Sequence, residues 1–268
     1  MEQLIKIWVI NLKSRPDRLQ NIAKQLDTMN IEWTRLNAVD GKNCEKSVLN
    51  ISTKHGKIGS LSEGVRGCTA SHYKFWKKFT YSGEEFGIVL EDDVKLSEDF
   101  KSLICDVNWI PKNTNIIKLE KFAANRPSKL LLGHPITTAL KNTREIRRMY
   151  SRHTGTGAYL ISKAGANKAI GWKKPFSVPI DHVLFNETVS KLSSSIKPMI
   201  LVPPIAWQSE DIGHGSDITQ FIELPMSKFK KKLRSVKRGY YEVRLWPYQL
   251  FLLIMGRAKI ISVNKKIS

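Results

Sequence analysis

The chain has 268 residues, 41% of them hydrophobic, and this length and apolar content exclude a chain that is disordered throughout. Forty-four Lys and Arg against 24 Asp and Glu give a formal net charge of +20, which predicts anionic partners such as phosphorylated substrates, nucleic acid or acidic lipid. The charge is uneven, because residues 226–268 hold twelve Lys or Arg and a single acid. The composition therefore predicts a folded body and a basic tail with different functions.

The cysteines and the apolar stretches predict a cytoplasmic protein. Cys44, Cys68 and Cys105 are scattered and form no CxxC pair, so neither a disulfide framework nor a zinc site is predicted. The first residues lack the basic and apolar regions of a signal peptide. The longest apolar stretch, residues 250–255, is far shorter than the ~20 residues that span a bilayer, so no transmembrane helix is expected.

The N-terminal part of the chain predicts a strand, a helix and a second strand. Residues 5–10 are large and apolar and indicate a buried strand that ends at Asn11. Ser14 is expected to cap the following helix, with Pro16 in its first turn. Apolar residues recur in that helix at helical spacing: Leu19, Ile22, Ala23, Leu26 and Met29. Residues 31–38 predict the next strand, and together the three elements indicate a parallel βαβ unit.

Strands and helices continue to alternate along the body. We expect helices over residues 62–80, 163–172 and 181–188, and strands over residues 86–90, 115–119, 158–162 and 200–202. Residues 121–153 are basic and show no clear pattern, which predicts loops around a site. We assign residues 1–225 to one α/β domain and residues 226–268 to a basic, amphipathic, helical tail.

An acidic triplet is the strongest local signal. Glu91, Asp92 and Asp93 directly follow the apolar run Ile-Val-Leu, and in open α/β sheets the carboxyl ends of strands face the ligand crevice. Three adjacent carboxylates repel one another and are tolerated best beside a cation, and hard divalent ions prefer such oxygen ligands. The triplet therefore favours a metal site over a solvated turn.

Polar residues near the first helix give a weaker signal. Asn11, Arg15 and Arg18 lie where a helix N-terminus can receive phosphate or a nucleoside, although the local sequence alone favours an ordinary solvated helix. Asp40, before Gly41, can hydrogen-bond a ribose or simply form a turn. The sequence contains neither a GxGxxG fingerprint nor a phosphate-loop lysine motif.

Two further segments offer candidate ligand contacts. Ser71 and His72 lie on a predicted helix and can reach a pyrophosphate, although a lone histidine is more often structural. Gly155, Thr156 and Gly157 precede a strand, where glycines allow a backbone to approach a ligand closely or form a β-bulge.

Two single residues remain open between a structural and a chemical role. Asp181 opens a short helix after Pro-Ile, where an acid is favoured as a cap. His214 lies in a Gly-His-Gly loop, as a ligand or as part of a surface turn.

Seven short motifs occur in a specific order and spacing: Val9-Ile-Asn-Leu12, Arg15-Pro-Asp-Arg18, Ala38-Val-Asp-Gly41, Gly67-Cys-x-x-Ser-His72, Leu90-Glu-Asp-Asp-Val94, Gly155-x-Gly-x-Tyr159 and Pro179-Ile-Asp181. In these motifs the chain resembles glycosyltransferase family 25, the lipooligosaccharide galactosyltransferase family, over roughly residues 5–220. The resemblance implies a GT-A-like, Rossmann-type nucleotide-sugar-binding fold with a mixed central sheet. It also implies a UDP-sugar donor, commonly UDP-galactose, a divalent metal and inversion at the anomeric carbon.

Carried over by position, the resemblance assigns roles to the candidate residues. It implies that Asn11, Arg15 and Asp40 border the uridine. The other donor-site candidates lie in or next to the motifs: Arg18, Ser71, His72, Glu91, Asp92, Gly155, Thr156 and Gly157. Asp93, with Asp92 or Glu91 beside it, would hold manganese, or alternatively magnesium, with His214 as an additional ligand. Asp181 is the candidate base, because inverting transfer needs a carboxylate to take the proton of the acceptor hydroxyl.

The tail and the family together predict the partners. The acceptor would be a lipid-linked oligosaccharide of lipooligosaccharide or lipopolysaccharide. Basic residues 228–238 and apolar residues 245–255, with Trp246 and Tyr248, suit an anionic membrane surface at the inner face of the bacterial inner membrane. Packing of the apolar part on the domain, or a homodimer contact, is the alternative.

Two other classes of protein compete with the enzyme. The charge of +20 with seven Trp and seven Tyr would suit a nucleic-acid groove, but no recognised nucleic-acid-binding motif is present and acids occupy the predicted crevice. We therefore expect no nucleic-acid partner. A noncatalytic scaffold on the membrane surface would be expected to lose its acids, whereas the acidic triplet and Asp181 are retained.

Overall fold

A nine-stranded mixed sheet forms the centre of the protein. The computed structural model describes residues 2–122, 127–208, 236 and 239–264. The strands in these residues are β1 (Lys6–Asn11), β2 (Trp33–Asn37), β3 (His55–Gly56), β4 (Gly59–Ser60), β5 (Phe86–Glu91), β6 (Val94–Leu96), β7 (Ile116–Lys118), β8 (Glu120–Lys121), β9 (Ser128–Ala139), β10 (Arg144–Met149), β11 (Ala158–Ser162), β12 (Met199–Val202), β13 (Ala206–Gln208) and β14 (Ala258–Val263). The helices are α1 (Pro16–Thr28), α2 (Glu63–Thr80), α3 (Phe100–Ile104), α4 (Lys163–Ile170), α5 (Ile180–Phe185), α6 (Lys191–Ile196) and α7 (Trp246–Ile254), with a 3-10 helix at Lys46–Ile51.

The topology confirms the predicted α/β class with a mixed sheet. The strand order is β14-β9-β10-β12-β7-β11-β5-β1-β2. β1 pairs in parallel with β2 and with β5, and β11 lies antiparallel between β5 and β7. A second, three-stranded sheet has the order β6-β13-β8, and β3 pairs with β4 in a short hairpin. The predicted parallel βαβ unit is therefore present at the N-terminus.

The start of the first helix differs from the sequence prediction. α1 begins at Pro16 with Arg15 as its N-cap residue, and no side chain caps it, so the assignment of the cap to Ser14 is wrong. Proline fixes φ near the helical value and has no N–H to satisfy, which suits the first helical position. Ile22 and Leu26 of the predicted stripe are fully buried against the sheet.

Both faces of the sheet are covered, which explains why its strands are apolar throughout. On β1, Ile7 and Val9 belong to one apolar cluster, whereas Trp8 and Ile10 belong to another. Successive side chains of a strand point to opposite faces, so the two clusters lie on the two sides of the sheet. α1 packs in the first cluster and the aromatic residues of α2 pack in the second.

The prediction of loops over residues 121–153 is wrong. β9 and β10 form a long antiparallel hairpin, and β10 continues the central sheet through β12. Register shifts on either side of Arg147 break the alternation that would have indicated a strand. Arg144 is buried on β10 because it pairs with Asp99, so a charged residue occupies an interior position.

The helix predicted over residues 181–188 ends earlier, at Phe185. Asn186 follows it in an extended conformation, and its side-chain oxygen accepts hydrogen bonds from the backbone N–H (3.0 Å) and the hydroxyl (2.6 Å) of Thr188. Such a local Asx interaction competes with the helical ladder and ends the helix.

The described part of the tail is not wholly helical. It contains α7, and β14 then pairs antiparallel with β9 as the edge strand of the central sheet. The Gln249 side chain donates to the Tyr150 carbonyl at 2.6 Å, which links α7 to the end of β10. The division of the chain at residue 225 stays a prediction. Most of the basic segment 228–238 lies outside the described residues, so its predicted role at a membrane also stays a prediction. Within the described residues, no helix has both the length and the apolar character needed to cross a membrane.

Candidate active site

Four strands bring polar residues to one edge of the central sheet. β1 and β5 are parallel, with Ile10 opposite Glu91, so their carboxyl ends lie together. β11 is antiparallel to β5 and to β7, with Tyr159 opposite Lys118, so its start lies beside both of their ends. The acidic triplet, the Gly-Thr-Gly segment and the charged residues after β7 therefore share the edge where α/β proteins bind ligands.

Asp92 is held by residues at the end of β1. The Asn11 side-chain nitrogen donates to Asp92 Oδ2 at 2.7 Å and to the Arg15 carbonyl at 2.9 Å. The Arg35 guanidinium donates to the Asn11 side-chain oxygen at 2.7 Å. Because both ends of the buried Asn11 amide are engaged, Asn11 orients Asp92. Its contact with a uridine stays a prediction.

Asp93 is the least satisfied acid of the triplet. Arg18 Nη1 lies 3.6 Å from Asp92 Oδ1 and 3.9 Å from Asp93 Oδ2. Asp93 Oδ1 is buried and has no hydrogen-bond partner among the described residues. Burial, followed by the negative charges of Glu91 and Asp92, raises the pKa of Asp93 to about 7. This arrangement costs stability in the metal-free protein and suits a cation.

Glu91 is fixed by a chain of hydrogen bonds that begins in α2. Trp76 donates to the Tyr159 hydroxyl at 3.1 Å, which lies 2.9 Å from His72 Nδ1, and His72 Nε2 lies 3.2 Å from Glu91 Oε1. The Thr156 hydroxyl also donates to Glu91 Oε1, at 2.5 Å. Burial raises the pKa of Glu91, but these hydrogen bonds and the nearby positive charge lower it by more than burial raises it. The pKa of Glu91 therefore lies below its usual value. An ionised carboxylate can only accept hydrogen bonds, so His72 Nε2 carries a proton and donates a hydrogen bond to Glu91.

Sequence reasoning missed Lys118 and Glu120. Both side chains are fully buried, and Lys118 Nζ lies 2.5 Å from Glu120 Oε1. Lys118 also donates to the Gly155 carbonyl. Glu120 Oε2 is buried without a hydrogen-bond partner among the described residues, and burial raises the pKa of Glu120. Their only sequence signal is a pair of charges at alternate positions where a buried strand ends.

The glycines of the Gly-Thr-Gly segment lie where a side chain would collide with a neighbour. A Cβ at Gly155 would lie 2.4 Å from Glu120 Oε1, and the φ of +88° at Gly155 itself disfavours other residues. A Cβ at Gly157 would lie 2.7 Å from Val94 Cγ1 and 3.6 Å from Glu120 Cδ. The close approach of Glu120 thus explains Gly155, whereas the close approach of Val94 explains Gly157. Their predicted contact with a donor is an additional proposal.

Asp181 faces the same segment. Its Oδ2 accepts from the Gly155 backbone N–H at 3.4 Å, and its Oδ1 accepts from the His182 N–H at 2.8 Å. The N-cap residue of α5 is Pro179, so Asp181 is not the cap of that helix. The structure therefore connects Asp181 to Glu91 through the intervening residues Gly155 and Thr156.

Two of the residues predicted to contact the uridine, Asp40 and Arg15, interact with residues close to them in sequence. Asp40 accepts from the Lys42 N–H at 3.0 Å and from the Asn43 side chain at 2.8 Å, which forms the simple turn left open by the sequence. The hydrogen bond from Asn43 lowers the pKa of Asp40. Arg15 pairs with Asp17 at 2.9 Å. Arg15 also acts on the acidic triplet, because burial raises the pKa of Asp92 and the Asn11 hydrogen bond and the charges of Arg18 and Arg15 oppose that rise.

Ser71 supports the fold beside the site. Its buried hydroxyl donates to the Gly67 carbonyl and accepts from the Val39 N–H, each at 2.8 Å, which ties α2 to the segment after β2. Its predicted contact with a pyrophosphate therefore needs the hydroxyl to exchange partners. His214 lies outside the described residues, and its assignment as a metal ligand stays a prediction.

Two groups of side chains at this edge offer atoms that could bind a divalent cation. Asp92 and Asp93 offer carboxylate oxygens, one of them without a partner, as hard cations require. Ligand atoms of Cys68, His72 and Glu91 also lie within 4.8 Å of one another. Burial raises the pKa of the Cys68 thiol, so its sulfur keeps the proton, and the His72 and Glu91 atoms bond each other. The carboxylates after β5 are therefore the better match.

Comparisons with known proteins identify similar sequences over most of this region. The family model described as "Glycosyltransferase family 25 (LPS biosynthesis protein)" matches residues 4–184. A putative glycosyltransferase of Haemophilus influenzae is 25% identical over 184 residues, which are 67% of this chain and 62% of the relative. Human procollagen galactosyltransferase 2 is 30% identical over 195 residues, which are 67% of this chain and 29% of the relative.

A third relative has a name that refers to a bacterial surface saccharide. The lipooligosaccharide biosynthesis protein lex-1 of Haemophilus influenzae is 30% identical over 138 residues, covering 48% of this chain and 44% of the relative. Each of these relatives is matched over less than two thirds of its own length. The matched region contains the acidic triplet, Lys118, Glu120, the Gly-Thr-Gly segment and Asp181.

Proposed function

Because this chain belongs to glycosyltransferase family 25, we propose that it transfers galactose from UDP-galactose to a sugar of a lipooligosaccharide or lipopolysaccharide acceptor, with inversion at the anomeric carbon. Membership of the family supports sugar transfer from a donor to an acceptor as its general activity. The galactosyltransferase and lipooligosaccharide relatives support the choice of sugar and acceptor.

One observation carries the proposal. At the carboxyl end of β5, Asp93 keeps a buried oxygen without a hydrogen-bond partner among the described residues, beside Asp92 and Arg18. A nucleotide-sugar diphosphate with its cation is a ligand that satisfies both signs of charge at such a place. Asp92 and Asp93 would hold manganese or magnesium there, with His214 as a further proposed ligand.

The donor side of the reaction needs negative charge to be offset as UDP leaves. When bound, the cation would stabilise the charge that develops on the leaving diphosphate. Arg18, in the first turn of α1, supplies a fixed positive charge at the same edge. Asn11 keeps Asp92 in one orientation, which limits the reorganisation needed when a donor binds.

The acceptor side of the reaction needs a base. We assign this role to Asp181, which the Gly155 N–H holds at the same edge as the acidic triplet. The acceptor hydroxyl oxygen attacks the anomeric carbon, the bond from that carbon to the diphosphate oxygen breaks, and Asp181 takes the hydroxyl proton. A single displacement of this kind inverts the configuration at the anomeric carbon.

A donor screen tests the proposed activity. The purified protein with manganese should release UDP from UDP-galactose faster than from UDP-glucose or UDP-N-acetylglucosamine, measured as free UDP. Addition of a lipooligosaccharide acceptor should raise the rate further. Equal release from all three donors would contradict the choice of galactose, and no release from any of them would contradict a UDP-sugar donor.

The tail is proposed to place the enzyme on an anionic membrane at the cytoplasmic face of the bacterial inner membrane. Leu252 is the one buried residue of the nine in α7, whereas Trp246, Leu250 and Ile254 are 60%, 57% and 73% exposed. Three apolar residues at spacings of four form one exposed helical stripe. An interfacial helix next to many basic residues binds by apolar burial and by attraction to anionic lipid.

Replacement of part of this stripe tests the membrane proposal. Leu250→Asn with Ile254→Asn should weaken sedimentation with vesicles of anionic phospholipid at least about tenfold, because the apolar contact is lost. UDP release in solution should be unchanged. Leu4→Asn is a matched control, since Leu4 is an exposed leucine elsewhere. Unchanged vesicle binding would contradict the proposal, and a change from dimer to monomer on a sizing column would instead support the homodimer.

A further inference from the structure

A buried ion pair lies against the Gly-Thr-Gly segment, residues 155–157. Lys118 ends β7 and Glu120 begins β8, and neither side chain is exposed. The Lys118 ammonium donates to Glu120 Oε1 at 2.5 Å and to the Gly155 carbonyl, and it lies 4.6 Å from the centre of the Phe185 ring. One cation therefore contacts β8, the segment before β11, and the last residue of α5.

The same segment connects Asp181 to the acidic triplet. Thr156 donates to Glu91 at 2.5 Å, and the Gly155 N–H donates to Asp181 at 3.4 Å. The Gly155 carbonyl accepts from Lys118, and a Cβ on the Gly155 α-carbon would lie only 2.4 Å from Glu120 Oε1. The peptide groups on both sides of Gly155 are thus held from two directions.

We propose that Lys118 and Glu120 are positioning residues for the transfer reaction, which set the place of Asp181 relative to Glu91 through the Gly-Thr-Gly segment. The proposal rests on the proposed role of Asp181 as the base. Two buried charges are costly to desolvate, and removing one partner leaves the other uncompensated, so such a pair does little for stability compared with apolar residues. It does fix geometry, and a misplacement of about 1 Å can reduce a rate about 10²-fold.

Removing both charges together distinguishes a positioning role of the pair from a purely structural one. Lys118→Met combined with Glu120→Gln removes both charges and leaves neither one unpaired. A purely structural pair would then be replaced with stability and turnover both nearly normal. A positioning pair would lose turnover in the double variant as well, because no cation holds the Gly155 carbonyl.

The experiment compares Lys118→Met, Glu120→Gln and the double variant in the full chain. We expect kcat, at saturating UDP-galactose and acceptor, to fall about 10- to 100-fold in all three. The dissociation constant for UDP-galactose should change less than about threefold, since the donor contacts lie at Asp92 and Asp93. Arg144→Met is the matched control, because Arg144 forms a buried ion pair with Asp99 on another part of the sheet and should lower the melting temperature without lowering kcat.

Two further variants keep the result interpretable. Should the double variant not fold, Gly155→Ala introduces a methyl group against Glu120 Oε1 and keeps both charges, and it should lower kcat in the same way. Asp181→Asn is measured in parallel. Normal kcat in Asp181→Asn would contradict the proposed base, whereas loss of kcat in Asp181→Asn with normal kcat in the folded pair variants would overturn the positioning role alone.

Discussion

We expect Asp181→Asn to lower the rate of sugar transfer about 10²- to 10⁴-fold at saturating donor and acceptor, because an amide cannot take the proton of the acceptor hydroxyl. The replacement keeps the shape of the side chain, and one oxygen remains to accept a backbone N–H. The affinity for UDP-galactose should stay within about threefold of normal, since Asp181 contacts Gly155 and His182 and not the acids after β5. Turnover with both substrates saturating is the measurement that checks this prediction.

A melting curve of the same variant separates chemistry from structure. Asp181 accepts two backbone hydrogen bonds, so the variant should lose at most the free energy of about one such bond, on the order of 1 kcal/mol. Because Pro179 is the N-cap residue of α5, no helix cap is removed. Near-normal turnover in a folded Asp181→Asn protein would overturn the assignment of the base.

The second large effect is expected from removal of the metal or of its proposed ligand Asp93. A chelator should abolish UDP release from UDP-galactose, and manganese should restore it. Asp93→Asn should lose metal-dependent binding of the donor, measured by titration calorimetry with and without manganese. Glu98→Gln is a suitable control, because Glu98 is an exposed acid a few residues away.

The same variant should be more stable than the natural protein when metal is absent. The pKa of Asp93 is about 7 in the folded protein, against an ordinary value of 3.8 for an aspartate. Between these values the folded state binds the proton more tightly, so the stability that this group contributes falls as the pH rises from about 4 to about 7. Above that range Asp93→Asn removes a buried charge next to two others. Its melting temperature at pH 8 in chelator should therefore rise, by roughly 2–4 °C for each kcal/mol gained.

These two outcomes together distinguish a metal ligand from an ordinary buried acid. If Asp93→Asn is more stable than the natural protein without metal and inactive when metal is present, Asp93 is needed for activity at a cost in stability. This is expected where several negative charges lie together to bind a cation. Full activity of the natural protein in excess chelator would exclude the metal. Arg18 and the other basic residues would then have to neutralise the leaving diphosphate.

Strong local patterns allowed much of the body of the protein to be predicted from its sequence. The apolar runs of β1, β5 and β11 are buried on both faces, so each reads as a short continuous hydrophobic stretch. The helix predicted over residues 62–80 is α2, and the Ser62 side chain caps it by accepting from the Val65 N–H. By contrast, β9 and β10 were missed because bulges and a buried Arg144 obscure their alternation.

The polar part of the site divides in the same way. The acidic triplet could be found because three adjacent acids after a buried strand are unusual by themselves. The Lys118–Glu120 pair could not, since nothing in two charges near a strand end says that they face inward. The glycines at 155 and 157 were noticed, but the reasons for them lie elsewhere in the chain, because the Glu120 carboxylate packs against Gly155 and the Val94 side chain packs against Gly157.

The sequence by itself determined the α/β class, the βαβ start, the family and the place of the acids at a strand end, because these follow from local periodicity and from motifs in order. Only the tertiary structure decided which charges are buried together and which segment joins Asp181 to Glu91. Strand pairing sets those distances, and β7, β11 and β5 come from separate parts of the chain. Side-chain burial and hydrogen bonds across strands depend on that pairing, and it leaves no mark in any single segment.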